Sequence, residues 1–315
     1  MKKLVFAVAA ASLLAVSATS YAAVPVKIFV EDKQIQSDVA PIVENGRLLV
    51  PIRAMTDSLG ASVSWDQASK TATIRKWSET VKLTAGKNTS YYEKEGRSNQ
   101  LTFDVPLKIV NNRLYVPLRF LSQFFGYQVA TSGDAVFVNS PLSQNERDIL
   151  YRGDLAQARR IVMDNGPKTA HFAQKPIAYT HEREGFETTF LFPIGESNRF
   201  FLISDDTVSF YELQDDFFVV TWQAHIPVGQ KGTVELFLEN KVTNATGSKP
   251  EIKEFFFYRT GGLVTSTNIT TGTIDSDGKI TVVGVKRIVG GEVKEESGSL
   301  ALKSSDEKRT ITSNS

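Results

Sequence analysis

The chain has 315 residues, 41% of them apolar, with 36 Lys and Arg against 35 Asp and Glu. That balance suits a globular protein long enough for two domains, and it provides no global positive field to attract nucleic acid or anionic lipid. Cysteine is absent, which excludes disulfides, thiolate metal sites and cysteine nucleophiles, and a mean hydropathy of −0.16 argues against a polytopic membrane protein.

Met1, Lys2 and Lys3 form a short basic start, and residues 4–16 are an apolar run too short to span a bilayer. Small residues follow, and Ala22 and Ala23 offer cleavage positions. The pattern predicts a signal peptide over residues 1–23. Its removal takes Lys2 and Lys3, so 34 basic residues face 35 acidic ones, and it leaves no integral membrane span. No cysteine follows the apolar run, which excludes a lipoprotein signal. A cysteine-free exported chain points to a bacterial source and to a secreted protein, free or held non-covalently at the cell wall. Residues 303–315 read as a polar tail with no wall-sorting pattern.

Residues 24–140 repeat. Asn45-Gly46-Arg47-Leu48-Leu49-Val50-Pro51-Ile52-Arg53 matches Asn111-Asn112-Arg113-Leu114-Tyr115-Val116-Pro117-Leu118-Arg119 at an offset of 66. The offset persists through Leu59-Gly60 against Phe125-Gly126 and Val63 against Val129. Asn-Gly and Asn-Asn predict tight turns, and Arg-Leu-Leu-Val and Arg-Leu-Tyr-Val predict short strands. The proline opens a helix at its first position. Ile52, Met55 and Leu59 share one helical face, as do Leu118, Leu121 and Phe125, and Gly60 and Gly126 supply left-handed caps. Each unit reads as strand, turn, strand, helix, strand, strand, and the two halves are expected to pack together.

The pattern from Asn45 to Trp65-Asp66 resembles the copper amine oxidase N-terminal domain family, also called stalk domains. The second copy departs from it, with Thr131-Ser132 where the first has Trp65-Asp66. The resemblance implies a non-catalytic appendage, common in exported proteins of Gram-positive bacteria. The oxidase chemistry is not expected to accompany it. No Asn-Tyr pair is present to supply the quinone precursor, and the only histidines are His171, His181 and His225, at spacings of 10 and 44. No metal, cofactor or catalytic residue is therefore expected. Arg53 and Arg119 are the unusual repeated choices. A cation in the first turn opposes the helix dipole, so each has either a structural partner, an ion pair or a bond to turn carbonyls, or a ligand such as a carboxylate or glycan. Trp65 is read as a core or rim aromatic that a ligand can also use.

Residues 143–165 predict a helix, with a break at Gly153 and an end at Gly166-Pro167. Nine strands then follow, at 186–192, 199–203, 207–213, 217–225, 233–239, 252–259, 265–271, 279–285 and 292–302. Turn signals at Asp205-Asp206, Asp215-Asp216, Gly229, Gly261-Gly262, Asp277-Gly278 and Gly290-Gly291 separate them. The fold class is α+β: a duplicated small β-hairpin/helix module, then a mainly antiparallel β domain over 142–302, a meander able to close as a barrel behind its preceding helix. The aromatic runs at Phe200-Phe201, Phe217-Phe218 and Phe255-Phe256-Phe257 put rings on both strand faces, as a doubly buried sheet requires.

Sequence motifs of catalysis are lacking. Arg152-Gly153-Asp154 falls in helix, Asp275-Ser276-Asp277-Gly278 has Lys286 where a calcium loop needs glutamate, and Ser305 and Lys308 lie outside any catalytic context. The expected function is that of a non-enzymatic exported protein binding a cell-wall or extracellular protein or polysaccharide. The competing readings are an envelope-polymer hydrolase, with a polar cleft around His181 or His225, and a carrier of a small apolar ligand in a hollow barrel.

Overall fold

The computed structural model describes residues 26–178, 185–227 and 231–310. Residues 1–23, read from the sequence as a signal peptide, lie outside the described residues, as do His181 and Gly229. Among the described residues no helix is long and apolar enough to cross a membrane.

The first copy runs β1 (Lys27–Val30), β2 (Lys33–Gln34), β3 (Ile42–Glu44), β4 (Arg47–Pro51), α1 (Ile52–Ser58), β5 (Ser62–Asp66) and β6 (Thr71–Lys76). The second runs β7 (Glu79–Thr84), β8 (Thr89–Lys94), β9 (Arg97–Thr102), β10 (Lys108–Val110), β11 (Arg113–Pro117), α2 (Leu118–Phe124), β12 (Gln128–Ser132) and β13 (Ala135–Asn139). Each unit thus has the order read from the sequence, and the second copy carries an additional β8–β9 hairpin ahead of it. Asn45, Gly46, Asn111 and Asn112 all have positive φ, as the tight turns require. The prolines sit one residue earlier than expected. Pro51 and Pro117 are extended and precede the first helical residue, because both still belong to paired strands.

The copies join through those strands. β4 pairs with β11 antiparallel, and Val50 lies opposite Val116, its own equivalent, with Leu49 opposite Pro117 and Tyr115 opposite Pro51. A pseudo-two-fold axis therefore passes through the Val50–Val116 pair, so the copies meet isologously, as subunits of a two-fold dimer do. The ion pairs obey the same symmetry. Arg47 holds Asp104, and Arg113 holds Asp38 at 2.6 Å; each repeat's turn arginine grips the other repeat's aspartate. One face of this sheet carries Val50 and Val116 into a core with Met55, Leu59, Leu121 and Phe125. The other face closes over Leu49 and Tyr115 with Ile42 and Val105. Symmetry breaks at the flanking sheets: β6 turns directly into β7 as an antiparallel hairpin, whereas β13 pairs with β1 in parallel.

Two helices follow, α3 (Gln144–Arg152) and α4 (Leu155–Thr169). Gly153 ends the first, and Asp154 caps the second by accepting from the N–H groups of Ala156 and Gln157. The Arg-Gly-Asp tripeptide is thus a helix break. Gly166-Pro167 does not end α4, which continues to Thr169; Gly166 sits where a Cβ would be 3.2 Å from Phe200, so the glycine serves close packing on the sheet.

The remaining strands are β14 (His171–Phe172), β15 (Phe186–Pro193), β16 (Arg199–Ser204), β17 (Thr207–Gln214), β18 (Phe217–His225), β19 (Thr243–Gly247), β20 (Phe255–Leu263), β21 (Ser266–Ile274), β22 (Ile280–Val289) and β23 (Glu292–Gly298). They form one sheet in the order β14-β18-β17-β16-β15-β20-β21-β22-β23, with β19 beside β18. Two meanders are joined by the β15–β20 pair, and the sheet stays open instead of closing as a barrel. Residues 233–239 were expected as a strand; they form a helix, α5 (Thr233–Leu238). Val234 and Phe237, three apart, both enter the core, a helical spacing the apolar run concealed. Gly261 and Gly262 lie within β20 and not in a turn, since Gly262 closely approaches the Ser266 carbonyl.

The first meander is buried on both faces. Phe190, Phe200, Phe218 and Phe256 pack under α4; Phe201, Phe210, Phe255 and Phe257 pack under α5. Residues 303–310 are not a free tail. Glu307 reaches the fully buried Arg159, with Oε1 2.6 Å from Nη2 and Oε2 2.9 Å from Nη1. Arg159 also donates to the carbonyls of Glu196 and Leu302, and Arg309 caps the end of α3 through the carbonyls of Ile149, Leu150 and Gly153.

The two domains share a seam. Phe217 and Val219 of β18 belong to the core of the duplicated module. Trp77 stacks on His171 with centroids 3.9 Å apart, and His171 Nδ1 lies 2.7 Å from Oε1 of the buried Glu79. Gly126 abuts this ring; a Cβ there would lie 2.9 Å from His171 Nε2.

Two outcomes follow. Glu307→Gln leaves the Arg159 cation buried without its counter-charge, so we expect a loss of about 3 kcal/mol or more in denaturant unfolding, with much of it recovered in the Arg159→Met/Glu307→Leu double variant. Burial holds the His171 imidazole below its ordinary value of 6.5, against the opposing pull of Glu79. The unfolded chain then takes up this proton first as pH falls below 6.5, so stability present at pH 7 is lost on acidification. Comparing unfolding at pH 7 and pH 5, His171→Gln should show a shallower loss than the parent chain.

Candidate ligand-binding cleft

Arg53 and Trp65 come together on one surface. They line a cleft of about 300 Å³ with Ile52, Val63, Gln67 and Lys70 from the first copy, and Ile109, Asn112 and Arg113 from the second. Pairing of β4 with β11 brings the second copy's turn beside the first copy's helix and hairpin. The cleft is therefore a product of the duplication, and neither copy holds it alone.

Its aromatic wall is positioned by the residue after it. The Asp66 carboxylate accepts from the backbone N–H groups of Ala68 at 2.8 Å and Ser69 at 3.0 Å, which holds its pKa below the ordinary value. That turn returns the chain through Lys70, at a φ of 51°, into β6. The Trp65 indole N–H donates to Gln67 Oε1 at 2.8 Å, fixing the ring while leaving Trp65 38% exposed. The sequence pair Trp-Asp is thus a platform and the turn that orients it. In the second copy Ser132 pairs directly with Ala135 around Gly133-Asp134. That shorter turn lacks both the carboxylate loop and the ring, because Thr131 stands where Trp65 does.

Arg53 is exposed at the start of α1, and its guanidinium makes no hydrogen bond or ion pair among the described residues. Of the alternatives open for it, neither an ion pair nor a bond to turn carbonyls is present among the described residues. Arg113, by contrast, is tied to Asp38. Arg119, equally exposed, does not line the cleft; only Arg53 shares a site with the indole. The sequence marked Asn112 only as a turn residue and did not single out Gln67 or Lys70; the convergence of the three depends on pairing between the copies.

The two described histidines, His171 and His225, do not converge. His171 lies opposite Val219 and His225 ends the same strand six residues on, about 20 Å away at strand rise. His225 is buried with Nδ1 3.3 Å from Asp206 Oδ2, within the packed sheet. Among the described residues no group of three or more His, Asp or Glu side chains could hold a metal ion.

Residues 29–139 match the family model of the copper amine oxidase N-terminal domain, so the likeness carried by the repeated motif holds over both copies. No curated protein matches the chain.

Because Trp65 is a surface ring held by its own turn, Trp65→Ala should shift unfolding by no more than about 0.5 kcal/mol. Leu121→Ala, in the core formed by both copies, should cost about 2–5 kcal/mol. Thermal melts of the two variants check this contrast.

Proposed function

We propose that the chain is an exported, non-enzymatic binding protein whose duplicated module holds an acidic segment of an extracellular or cell-wall polysaccharide. The observation that carries this is the free Arg53 guanidinium beside the exposed Trp65 ring. An indole face takes the apolar face of a sugar ring, and a guanidinium with all its donors free takes a carboxylate in bidentate fashion. Lys70 adds a second cation, and Gln67 and Asn112 add side-chain amides to the same lining. A cleft of mixed aromatic and polar lining is the usual form of a small-ligand site.

The doubly packed first meander supports a scaffold role for the C-terminal sheet and gives a hydrolase reading no polar cleft at His225. Its open form likewise lends nothing to an apolar carrier.

Trp65 is the most exposed of the three tryptophans, so its fluorescence reports on the cleft. Titration with polygalacturonate should quench it, with an affinity that weakens as salt is raised, while neutral dextran should bind at least ten-fold more weakly. Arg53→Gln should lower the polygalacturonate affinity by about ten-fold or more, the scale of a lost charged hydrogen bond. Equal binding of both polymers, or binding unaffected by Arg53→Gln, contradicts the proposal.

A further inference from the structure

A second and larger cleft, about 1000 Å³, lies between the domains, away from Trp65. Lys76, at the end of β6, forms part of its wall together with Trp77 and Tyr127. The ammonium nitrogen is packed against three rings: it lies 4.3 Å from the Trp77 centroid, 4.9 Å from Tyr127 and 5.0 Å from Phe217. Its hydrogen-bond partner is the Tyr127 hydroxyl at 2.9 Å, which in turn reaches the Leu59 carbonyl at 3.4 Å. Lys76 makes no ion pair among the described residues. Both domains build this setting, since Phe217 comes from β18 and the other two rings from the duplicated module.

We propose that Lys76 is a carbonyl-capture site, which takes an uncharged aldehyde from the interdomain cleft as a reversible imine. A lysine stripped of water by apolar walls and left without a carboxylate partner is the form in which an amine becomes a nucleophile near neutral pH. Burial lowers the Lys76 amine to about 8, with Asp215, Glu79 and Glu31 opposing from a distance. At pH 7 about a tenth of the molecules then carry the free amine. Burial pushes the neighbouring Tyr127 hydroxyl up, so it stays protonated, and its long bond to the Leu59 carbonyl, 3.4 Å, is the one it exchanges to donate to an incoming carbonyl oxygen.

The step balances without a further reagent. The Nζ lone pair attacks the carbonyl carbon, forming the C–N bond while the C=O π electrons move to oxygen. Tyr127 gives its proton to that oxygen and recovers one from the nitrogen, giving a carbinolamine. Loss of the second nitrogen proton with the hydroxyl as water leaves the C=N bond. The cleft lining selects the class of carbonyl. Glu31, Asp57, Asp215 and Asp216 line it with Lys33. Arg147 offsets Glu31 and Asp216 at 3.6 and 3.3 Å, but Asp57 and Asp215 leave the carboxylates in excess, a field that disfavours a keto acid and admits a neutral aldehyde.

The test uses the intact protein, low benzaldehyde, sodium cyanoborohydride to trap imines, and peptide mapping by mass spectrometry. Lys76 should be labelled at least ten-fold faster at pH 7 than the exposed Lys87, with a rate that rises through about pH 8. Tyr127→Phe should slow Lys76 several-fold and leave Lys87 unchanged. Glyoxylate, the anionic probe, should label Lys76 no faster than Lys87. Labelling of Lys76 by benzaldehyde at or below the Lys87 rate overturns the proposal on the parent chain alone, whatever the variant does. Equal speed with glyoxylate overturns the assignment of the carbonyl class.

Discussion

The pairing of Val50 with Val116 is the constraint on which the rest of the module depends. A short strand with a helix behind it cannot bury both its faces. Two copies joined edge to edge can, because each supplies the other with a neighbouring strand and a helix face. The isologous register then fixes everything that lies off the axis. It sets Arg47 against Asp104 and Arg113 against Asp38. Surface pairs of this kind add little stability, but they are met only in this one register. It also seats Leu49 and Tyr115 in a second small core on the far side of the sheet.

The cleft follows from the same pairing. Once the copies share a sheet, the β10–β11 turn of the second stands over the helix start and hairpin of the first. A perfectly symmetric module would carry two such clefts. The first copy has the carboxylate-held turn and the indole; the second has Thr131 and a two-residue turn. The repeat supplies the framework, and the difference between the copies places one Arg–Trp pair where exact symmetry would place two. The seam with the C-terminal sheet is a further departure: Phe217 and Val219 complete the module's core from outside it.

The local parts were readable from sequence because each is decided by a few neighbouring residues. Asn-Gly and Asn-Asn mark turns that need positive φ, the proline marks where strand passes to helix, and doubled aromatics mark strands buried on two faces. Errors arose where distant packing decided the outcome. Val234 and Phe237 needed a core below them to be read as a helix, and Gly166 and Gly262 serve close approach where sequence suggested a break or a turn. The role of residues 303–310 depends on Arg159, 148 positions before Glu307. For the site, Arg53 and Trp65 were legible as unusual residues, Arg119 stood out equally and lies elsewhere, and the meeting of the first two with Lys70 and Asn112 depends on the register between copies.

We propose that Trp65 and Arg53 form one anion-reading sugar site created by the pairing of the copies. Side-chain nitrogen–proton NMR spectra, recorded while a galacturonate oligosaccharide is titrated in, test this. The Trp65 indole and Arg53 guanidinium signals should move together with one affinity, while the Trp77 and Trp222 indoles stay in place. A stationary Trp65 signal, or movement of Trp65 without Arg53, would contradict it.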